Sequence, residues 1–296
     1  MLSPSIVAID KNSHEQLEHG TIAFPIACYY DDLSQQQVPW HWHEELEAAI
    51  VSEGSILLKF ASEEMQVSAG NGFFINTGVL HGCHALTPQC RLHSMVFHSR
   101  LISGSPESVF NQKYIAPITT NKCFSGILLS KQVEWEAAVL RLLEGGWQAC
   151  VKEPRHFELK VRFAVSNAVA DIAAHINAMP VKASPKSLRD SERIKGMLQF
   201  IADNYGEKLS IADIARSVSV SESECVRCFR VTIGTTPIKY LREYRIGQAS
   251  SYLIEGRATI ADIASLCGFQ DVSYFTKSFR EMNGCTPKEY QRRHNT

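Results

Sequence analysis

The sequence has no long apolar run and almost no net charge. Its 296 residues contain no stretch of about 18 consecutive apolar residues, so we expect no membrane-spanning helix. The first residues lack a cationic start followed by an apolar core, so we expect no secretory signal. The 30 Lys and Arg against 31 Asp and Glu give a net charge of −1, which argues against a protein that coats nucleic acid through a general basic excess.

The nine cysteines are scattered and do not form a recognisable disulfide framework. An odd number cannot all pair within one chain, so we expect reduced thiols and a cytoplasmic protein. Cys225 and Cys228 have C-x-x-C spacing and could in principle hold zinc or exchange electrons, but no second such pair accompanies them. Inside a helix, small buried apolar side chains are the better interpretation of these two thiols.

The clearest pattern is an internal repeat in the C-terminal third. The pentapeptide IADIA occurs at 211–215 and again at 260–264. Chance rarely keeps several spaced identities in register, so we infer two copies of one helical unit. Among the residues of the second copy that have an identical counterpart fifty positions earlier are Phe279, Arg280, Gly284, Thr286, Pro287 and Tyr290.

Each copy has the pattern of a helix-turn-helix. In the second copy, a short helix ends at Gly268, where the turn needs a positive φ, and Phe269 fills the corner. Asp271 is placed to cap the second helix. The outward positions of that helix, which would enter a DNA major groove, are Val272, Ser273, Thr276 and Lys277. The alternative is a duplicated structural hairpin without a ligand, which the outward cation and polar residues disfavour.

Residues 192–290 resemble the DNA-binding domain of the AraC/XylS family of transcription regulators. The resemblance rests on Gly268-Phe269, Ser273-Tyr274-Phe275, Phe279-Arg280, Gly284 and Thr286-Pro287-x-x-Tyr290. It implies seven helices, with two helix-turn-helix units joined by one long helix at 237–254. It also implies that Ser223, Val226 and Arg227 are the groove-facing positions of the first unit. We expect Arg227 and Lys277 to provide most of the base readout or phosphate contact.

Residues 1 to about 125 are predicted to form a β-domain without helices. Short apolar runs rich in β-branched and aromatic residues alternate with Gly, Pro, Asn and Ser turns, which is typical of a sandwich or barrel. The runs are 22–30, 46–51, 55–60, 72–75 and 91–97.

One group of residues in this region has the spacing of a ligand site. His41 and His43 are followed by Glu47 and, some thirty residues later, by His81; on a strand His41, His43 and Glu47 would share a face. The string resembles the two cupin motifs, with Asn76 in place of the usual proline and Ala85 in place of the usual asparagine. The resemblance implies a barrel that binds a small molecule, with Trp40, His41, His43, Glu47 and His81 as candidate pocket residues.

The same four residues, His41, His43, Glu47 and His81, are also a possible metal-ligand set, since imidazoles and a carboxylate suit Fe, Mn, Ni or Zn. We expect no obligatory cofactor, and a metal remains the alternative. Tyr30, Trp42, Phe73 and Phe74 could offer flat faces to a sugar or aromatic ligand, or could simply be core.

The rest of the chain suggests how the domains are joined. Helical patterns at 130–149 and 155–176 predict a helical segment over 126–178, and the wide apolar face of the second helix predicts a homodimer. Residues 179–191 have a linker composition, and the DNA-binding domain then covers 192–296. That domain has 15 Lys and Arg against 12 Asp and Glu, a net +3, whereas the preceding part has a net −4.

We therefore predict an α+β multidomain protein with an N-terminal cupin-like barrel, a helical pair and an all-α domain with two helix-turn-helix units. The expected function is a transcription regulator, more plausibly an activator, that binds double-stranded DNA and responds to a small carbohydrate-type effector. RNA polymerase is a candidate partner. One alternative is a metal-dependent cupin enzyme or metal sensor fused to a DNA-binding domain. Another is an architectural DNA-binding protein with an inert barrel.

Overall fold

The computed structural model describes residues 2–3, 19–34, 37–60, 63–176, 185–256 and 258–294. The described residues divide into two compact units, the first extending to Ser191 and the second beginning at Glu192. No helix within these ranges has both the length and the apolar character needed to cross a membrane.

The first unit contains two β-sheets. One sheet has the strand order β1-β2-β9-β4-β7-β10 and the other has the order β3-β8-β5-β6. Neighbouring strands are antiparallel, except that β1 runs parallel to β2. The strands are β1 Leu2–Ser3, β2 Ile26–Asp32, β3 Gln37–His41, β4 Leu46–Glu53, β5 Ser55–Phe60, β6 Glu63–Ser68, β7 Gly72–Ile75, β8 His81–Ala85, β9 Arg91–Phe97 and β10 Gly126–Leu129.

The larger sheet is buried on both faces. On β4, Leu46 and Ala48 belong to a core shared with helices, whereas Ala49 and Val51 belong to a second core between the two sheets. A strand covered on both sides loses the alternation of apolar and polar residues, which explains why β4 is apolar along most of its length. Glu47 is the one charged residue within the buried stretch of β4 and lies on the face toward the smaller sheet.

Helices cover the outer face of the larger sheet. The long helices α3 (Glu134–Lys152) and α4 (Phe157–Ile176) pack against each other and share one apolar core with the sheet. Before them come α1 (Arg100–Ser103), a π-helical turn at Asn111–Ile115 and α2 (Ala116–Thr119).

Two predictions for the N-terminal region are therefore corrected. Residues 100–119 are largely helical, because Leu101, Ile102 and Ile118 turn inward to the core beneath α3 and α4. The sheet also continues past residue 125, since β10 pairs with β7 along its whole length.

The second unit is all-α and contains seven helices in its described part, as the family resemblance implies. They are α5 (Pro185–Asn204), α6 (Ile211–Ser217), α7 (Glu222–Thr232), α8 (Pro237–Glu255), α9 (Ile260–Leu266), α10 (Val272–Asn283) and α11 (Pro287–His294). The linker predicted at 179–191 overlaps the first of these helices, because its residues from Pro185 onward form the start of α5. Residues 177–184 lie outside the described part of the chain.

The two helix-turn-helix units begin their helices with the same capping devices. Ser210 and Asp213 form a reciprocal capping box at α6, and Thr259 and Asp262 form its counterpart at α9. The predicted cap of α10 is confirmed, since Asp271 accepts a 2.6 Å hydrogen bond from the backbone N–H of Tyr274. These side chains bind N–H groups that a helix start otherwise leaves without a partner.

An arginine of α8 connects the turn of the second helix-turn-helix to the rest of the all-α unit. Arg245 of α8 donates from Nε to the carbonyl of Tyr205 at 2.8 Å and from Nη2 to the carbonyl of Glu207 at 2.7 Å. Its guanidinium also lies 5.8 Å from the centre of the Phe269 ring. Burial lowers the pKa of Arg245 from its ordinary value. Gly268 has φ +76°, as predicted, and a Cβ there would lie 2.4 Å from the Tyr205 carbonyl oxygen.

In the first helix-turn-helix, the position equivalent to Gly268 is Ser219, which adopts φ +56° although it is not glycine. We predict that Ser219→Gly raises the free energy of unfolding by about 0.5–1 kcal/mol, because it relieves a left-handed non-glycine residue. Gly268→Ser should lower that free energy by about 2 kcal/mol or more, because a strained φ combines with a steric clash. Urea denaturation of the full chain measures both changes.

Gly234→Ser is the matched control for this pair. Gly234 also has φ +76°, but no heavy atom lies within 4 Å of a Cβ built there. It should therefore cost only the backbone strain. Equal losses for Gly234→Ser and Gly268→Ser would contradict the role we assign to the contact with the Tyr205 carbonyl.

Candidate functional site

Three imidazoles and one carboxylate lie close together inside the N-terminal unit, the one with the two β-sheets. Oε2 of Glu47 lies 2.8 Å from Nε2 of His81 and 3.3 Å from Nε2 of His43. The ring of His41 lies 4.1 Å from that of His81, centre to centre. The three histidines are only 2–3% exposed. The structure thus brings together His41, His43, Glu47 and His81, which the sequence singled out from their spacing.

The backbone orients every imidazole in the same way. Nδ1 of His41 lies 2.9 Å from the carbonyl of Pro39, Nδ1 of His81 lies 2.7 Å from that of Val79, and the corresponding atom of His43 lies 3.1 Å from that of Glu45. A carbonyl oxygen only accepts hydrogen bonds, so in each ring Nδ1 carries the proton and donates. The Nε2 atoms of His43 and His81 face the Glu47 carboxylate.

The electrostatics of Glu47 follow from this arrangement. Burial by itself would raise the pKa of the Glu47 carboxyl, but the charge and hydrogen bonds of His81, together with those of His43, outweigh burial and hold that pKa well below its usual value. An unprotonated Nε2 would repel a carboxylate oxygen only 2.8 Å away. A proton between the two atoms, or a bound cation, would remove that repulsion.

Strand pairing accounts for most of the cluster, and a loop for the rest. His41 at the end of β3 pairs directly with His81 at the start of β8, and Glu47 projects from β4 of the opposite sheet. His43 lies in the loop between β3 and β4, so the prediction that it shares a strand face with His41 is wrong. Its place depends on that loop, where its carbonyl accepts a 2.8 Å hydrogen bond from the backbone N–H of Gly78.

Asn76 has a structural role that the sequence did not reveal. Its buried side-chain amide donates to the carbonyls of Ile118 at 2.8 Å and Phe124 at 2.9 Å, while its side-chain oxygen accepts from the N–H of Thr77 at 2.9 Å. It stands where the cupin motif usually has proline, and it fixes the loop that leads to His81. Nearby, Thr77 Oγ1 donates to the carbonyl of Glu44 at 2.6 Å, which joins this loop to the one that holds His43.

Three members of the cluster, His41, Glu47 and His81, line a cavity between the sheets, which has about 540 Å³ of empty space including its opening. Two carboxylates, Asp31 and Glu47, line it, and none of its described lining residues is Lys or Arg. Its walls are formed by Tyr29, Asp31, Val38, His41, Glu47, Leu58, Phe73, His81, Gly82, Cys83, Leu92, Ser94 and Val96.

The predicted aromatic residues are not all near this cavity. Phe73 lines it, whereas Phe74 faces the core beneath the helices. Trp40 and Trp42 are half-buried and do not line it. Tyr30 lies beside the rings of His93 and Trp147. Among the described residues, Tyr29 and Phe73 are the Phe, Tyr or Trp side chains that line the cavity.

The four side chains have the chemistry of a divalent-metal site. One ligand atom from each of them can be chosen so that all lie within 4.8 Å of one another. Imidazole nitrogen with carboxylate oxygen suits Zn, Fe, Mn or Ni, and the carbonyl partners of Nδ1 are the usual outer support of metal-binding histidines. The residues thus fit such an ion, which would supply the positive charge that the cluster lacks.

On α10, the predicted groove residues form an open face. Val272, Ser273 and Lys277 are exposed, and Thr276 is half-buried with its hydroxyl donating to the carbonyl of Val272 at 2.8 Å. Arg280, Glu281 and Thr286 border the same shallow surface depression. Since Phe275 and Phe279 are fully buried on the opposite side, the polar face is available to a large partner.

On α7, Ser223 is exposed, whereas Val226 and Arg227 are half-buried. Arg227 forms a two-point pair with Glu224, with Nε at 2.7 Å from one carboxylate oxygen and Nη2 at 2.8 Å from the other. Arg193 of α5 also donates to Glu224, at 2.9 Å. Arg227 was predicted from the sequence as a site residue, but its pair with Glu224 was not. The two residues are three apart on a helix, a spacing that favours such ion pairs.

Cys225 and Cys228 form part of the core of the first helix-turn-helix. Both are fully buried, and burial raises the pKa of the Cys225 thiol to about 11. Phe275 and Ser278 occupy the equivalent places in α10. A protonated, buried thiol is a poor nucleophile and metal ligand, so the packing role predicted for these cysteines is confirmed.

Comparison with known proteins gives the same two-part division. Residues 23–131 match the model of the AraC-like ligand binding domain, and residues 214–293 match a helix-turn-helix domain model. The HTH-type transcriptional regulator YdeC of Bacillus subtilis, itself uncharacterized, is 26% identical over 96% of this chain and 97% of its own. The HTH-type transcriptional activator RhaR of Mannheimia succiniciproducens is 22% identical over 88% of this chain and 89% of its own.

Among solved structures, an AraC-type DNA-binding regulator from Chromobacterium violaceum is 30% identical to this chain. It covers 35% of this chain and 92% of its own, with a TM-score of 0.34. The family models and the full-length relatives describe regulators of transcription rather than enzymes. The chain belongs to the AraC family of transcription regulators, with a ligand-binding domain followed by a DNA-binding helix-turn-helix domain.

Proposed function

We propose that this regulator responds to a small neutral, hydroxyl-bearing molecule, such as a carbohydrate, that binds in the cavity between the two sheets. The observation that carries the proposal is the cluster of His41, His43, Glu47 and His81, of which His41, Glu47 and His81 line the cavity. Buried imidazoles and a carboxylate offer several hydrogen-bonding atoms in an otherwise apolar enclosure, which is the usual composition of a small-molecule site.

The charge of the cavity narrows the ligand class. Asp31 and Glu47 accept hydrogen bonds, and none of the described lining residues is Lys or Arg. A ligand carboxylate would face two protein carboxylates with only imidazoles as basic partners, whereas hydroxyl groups could donate to those carboxylates. Neutral sugars and polyols are therefore favoured over sugar acids and fatty acids.

A divalent metal is the second candidate signal. It is favoured by the three Nδ1–carbonyl hydrogen bonds, and by the Nε2 atoms of His43 and His81, which contact Glu47. His41, His43, Glu47 and His81 would hold the ion, and the ion would supply positive charge and a binding point for a ligand hydroxyl. The proposal of a metal-dependent enzyme gains no support from the family or its relatives.

For DNA binding, we propose that α10 and α7 enter successive major grooves of one duplex, as the α8 connection suggests. Helix α8 has 19 residues and so extends about 28 Å, close to one turn of DNA once the width of the units is included. Ligand binding would change the affinity for DNA, and DNA would change the affinity for ligand by the same factor. We favour activation, with RNA polymerase as the partner and the cytoplasm as the location.

We also propose that α3 and α4 form a homodimer surface. Leu159 and Phe163 of α4 lie one helical turn apart and are 67% and 65% exposed. They border a shallow depression together with Leu142 of α3. Two large apolar side chains this exposed on neighbouring turns are costly in water, and a second copy of the chain would cover them.

The ligand proposal is tested by a thermal-shift screen of the full chain. Neutral sugars and polyols, sugar acids, fatty acids, and Zn, Mn, Fe and Ni ions are compared. A binder at a hundredfold its Kd stabilises the protein by about 2.7 kcal/mol, and we expect this effect from a neutral sugar or polyol. His81→Ala should abolish it, whereas His84→Ala, outside the cluster, should not.

The outcomes of this screen separate the two candidates. Stabilisation by a metal alone, with equimolar metal retained after dialysis, would favour the metal signal over the sugar. Stabilisation by a sugar acid or fatty acid alone would contradict the argument from the cavity's charge.

Lys277→Ala should weaken binding to duplex DNA. As probes, we would use duplexes enriched from a randomised library by the wild-type protein, and random duplexes. If Lys277 contacts a phosphate, the variant loses the same factor on both, and the slope of log affinity against log salt falls by about 0.9. Lys152→Ala, which removes the same charge from the ligand-binding domain, should change neither. A Lys277→Ala variant with wild-type affinity would remove α10 from the interface.

Phe163→Glu should convert the dimer to a monomer, because it places a charge in the proposed apolar contact. Light scattering on the eluted protein should give about twice 33.1 kDa for the wild type and 33.1 kDa for the variant. Phe110→Glu, at another exposed phenylalanine of the same unit, should leave the dimer intact. A wild type that remains at 33.1 kDa at high concentration would contradict the proposal.

A further inference from the structure

Arg245 lies where three segments of the all-α unit come together. It is near the middle of α8, the helix that joins the first helix-turn-helix (α6 and α7) to the second (α9 and α10). Its half-buried side chain donates from Nε to the carbonyl of Tyr205 at 2.8 Å and from Nη2 to that of Glu207 at 2.7 Å. Both carbonyls belong to the connection between α5 and α6, so Arg245 holds the chain where it enters the first helix-turn-helix.

The same guanidinium also contacts the second helix-turn-helix. Phe269, in the turn between α9 and α10, has its ring centre 5.8 Å from Cζ of Arg245. A Cβ added at the neighbouring Gly268 would lie 2.7 Å from Nη2 of Arg245 and 2.4 Å from the Tyr205 carbonyl oxygen. A guanidinium suits this place because it can donate in its plane to two carbonyls while its charge lies over an aromatic ring.

The backbones of the two connections approach each other directly. A Cβ at Gly206, between the two carbonyls that Arg245 binds, would lie 3.1 Å from the carbonyl oxygen of Leu266 at the end of α9. Glycine at 206 and 268 therefore lets the α5–α6 connection pack closely on the α9–α10 turn. This junction joins the two helix-turn-helix motifs in addition to their covalent link through α8.

We propose that Arg245 is a positioning residue for DNA binding. By holding the α5–α6 connection against the α9–α10 turn, it sets the distance and the rotation between α7 and α10, and so selects the spacing of the two half-sites that one molecule binds. This inference rests on the proposed reading of one duplex by both helices. The role requires no contact between Arg245 and DNA.

DNA geometry makes the relative placement of two reading helices demanding. One added base pair moves a half-site by about 3.4 Å along the duplex and turns it by about 35° around the axis. Two linked binding surfaces gain about 10²–10⁴ in affinity over one surface, but only where both can engage at once. A junction that is already rigid in the free protein avoids the entropy cost of ordering it in the complex. Arg245 should therefore favour one half-site spacing over its neighbours.

The test is a spacing series with the full-length protein. A duplex enriched from a randomised library by the wild type is footprinted to locate its two half-sites. Derivatives then have one base pair inserted or removed between the half-sites, or one half-site scrambled. Kd is measured on each duplex for the wild type, Arg245→Met, Arg245→Lys and Ile246→Val. Arg245→Met keeps an unbranched stem without donors, and Arg245→Lys keeps the charge without the two-point geometry.

Ile246→Val is the matched control. Ile246 follows Arg245 on α8 and is buried, so loss of a methylene weakens the core of the same unit without removing a hydrogen bond from the junction. Ile246→Val should therefore retain the wild-type spacing preference. Thermal melting of each variant shows whether the protein is folded.

The wild type should prefer the enriched spacing over a one-base-pair insertion or deletion by about 10-fold or more, because a misplaced half-site loses part of the two-site advantage. Arg245→Met should bind the enriched duplex about 10-fold more weakly and prefer its spacing by about 3-fold or less, since its two motifs adjust separately. On duplexes with one half-site scrambled, its Kd should match that of the wild type. Arg245→Lys should lie between the wild type and Arg245→Met.

Three results would overturn the inference. Full spacing preference in Arg245→Met, or in Arg245→Lys where Arg245→Met does not fold, would mean that the junction does not select the spacing. An equal loss on enriched and scrambled duplexes would make Arg245 a contributor to stability alone. A lost spacing preference in Ile246→Val would assign the effect to the core as a whole.

The same measurements separate this inference from the proposed DNA reading. If the wild type binds scrambled duplexes as tightly as the enriched one, the reading of one duplex by both helices fails. If the wild type needs both half-sites and Arg245→Met keeps the full spacing preference, the inference alone fails.

Discussion

The register of strand β4 is the constraint on which the ligand-binding domain depends. Because the strand is buried on both faces, Leu46 and Ala48 must enter the core under the helices while Ala49 and Val51 enter the core between the sheets. A slip of one residue would exchange the two sets and turn Glu47 away from the cavity. The apolar pattern that stabilises the domain is therefore also what points a carboxylate at His81.

In the DNA-binding domain, Arg245 has a comparable position. A half-buried guanidinium is unfavourable without acceptors for its donors, and here the carbonyls of Tyr205 and Glu207 accept from Nε and Nη2. Those carbonyls belong to the turn that follows α5, whereas Gly268 and Phe269, next to the guanidinium, form the second turn. One side chain thus couples the geometry of the two helix-turn-helix motifs, which are not independent modules.

Much of this was predictable from the sequence where short-range physics decides. The bounds of β5, β7 and β9 follow from their apolar runs, and the cap at Asp271 and the turn at Gly268 follow from backbone chemistry. Sequence reasoning failed where distant contacts decide. The helices at 100–119 depend on the core they cover. The placement of His43 depends on a hydrogen bond to Gly78, and the role of Asn76 depends on carbonyls more than forty residues away.

The repeat gives the two DNA-reading helices the same framework, so their differences lie in the side chains. Where α7 has Glu224 and Arg227, α10 has Tyr274 and Lys277. A lysine ammonium is a flexible point charge that suits phosphate, whereas an arginine held by a carboxylate is a planar, oriented donor. A net charge at the domain of only +3 leaves little general attraction to DNA. The two helices thus place different chemistry on the same framework, a half-buried arginine paired with a carboxylate on α7 and an exposed lysine on α10.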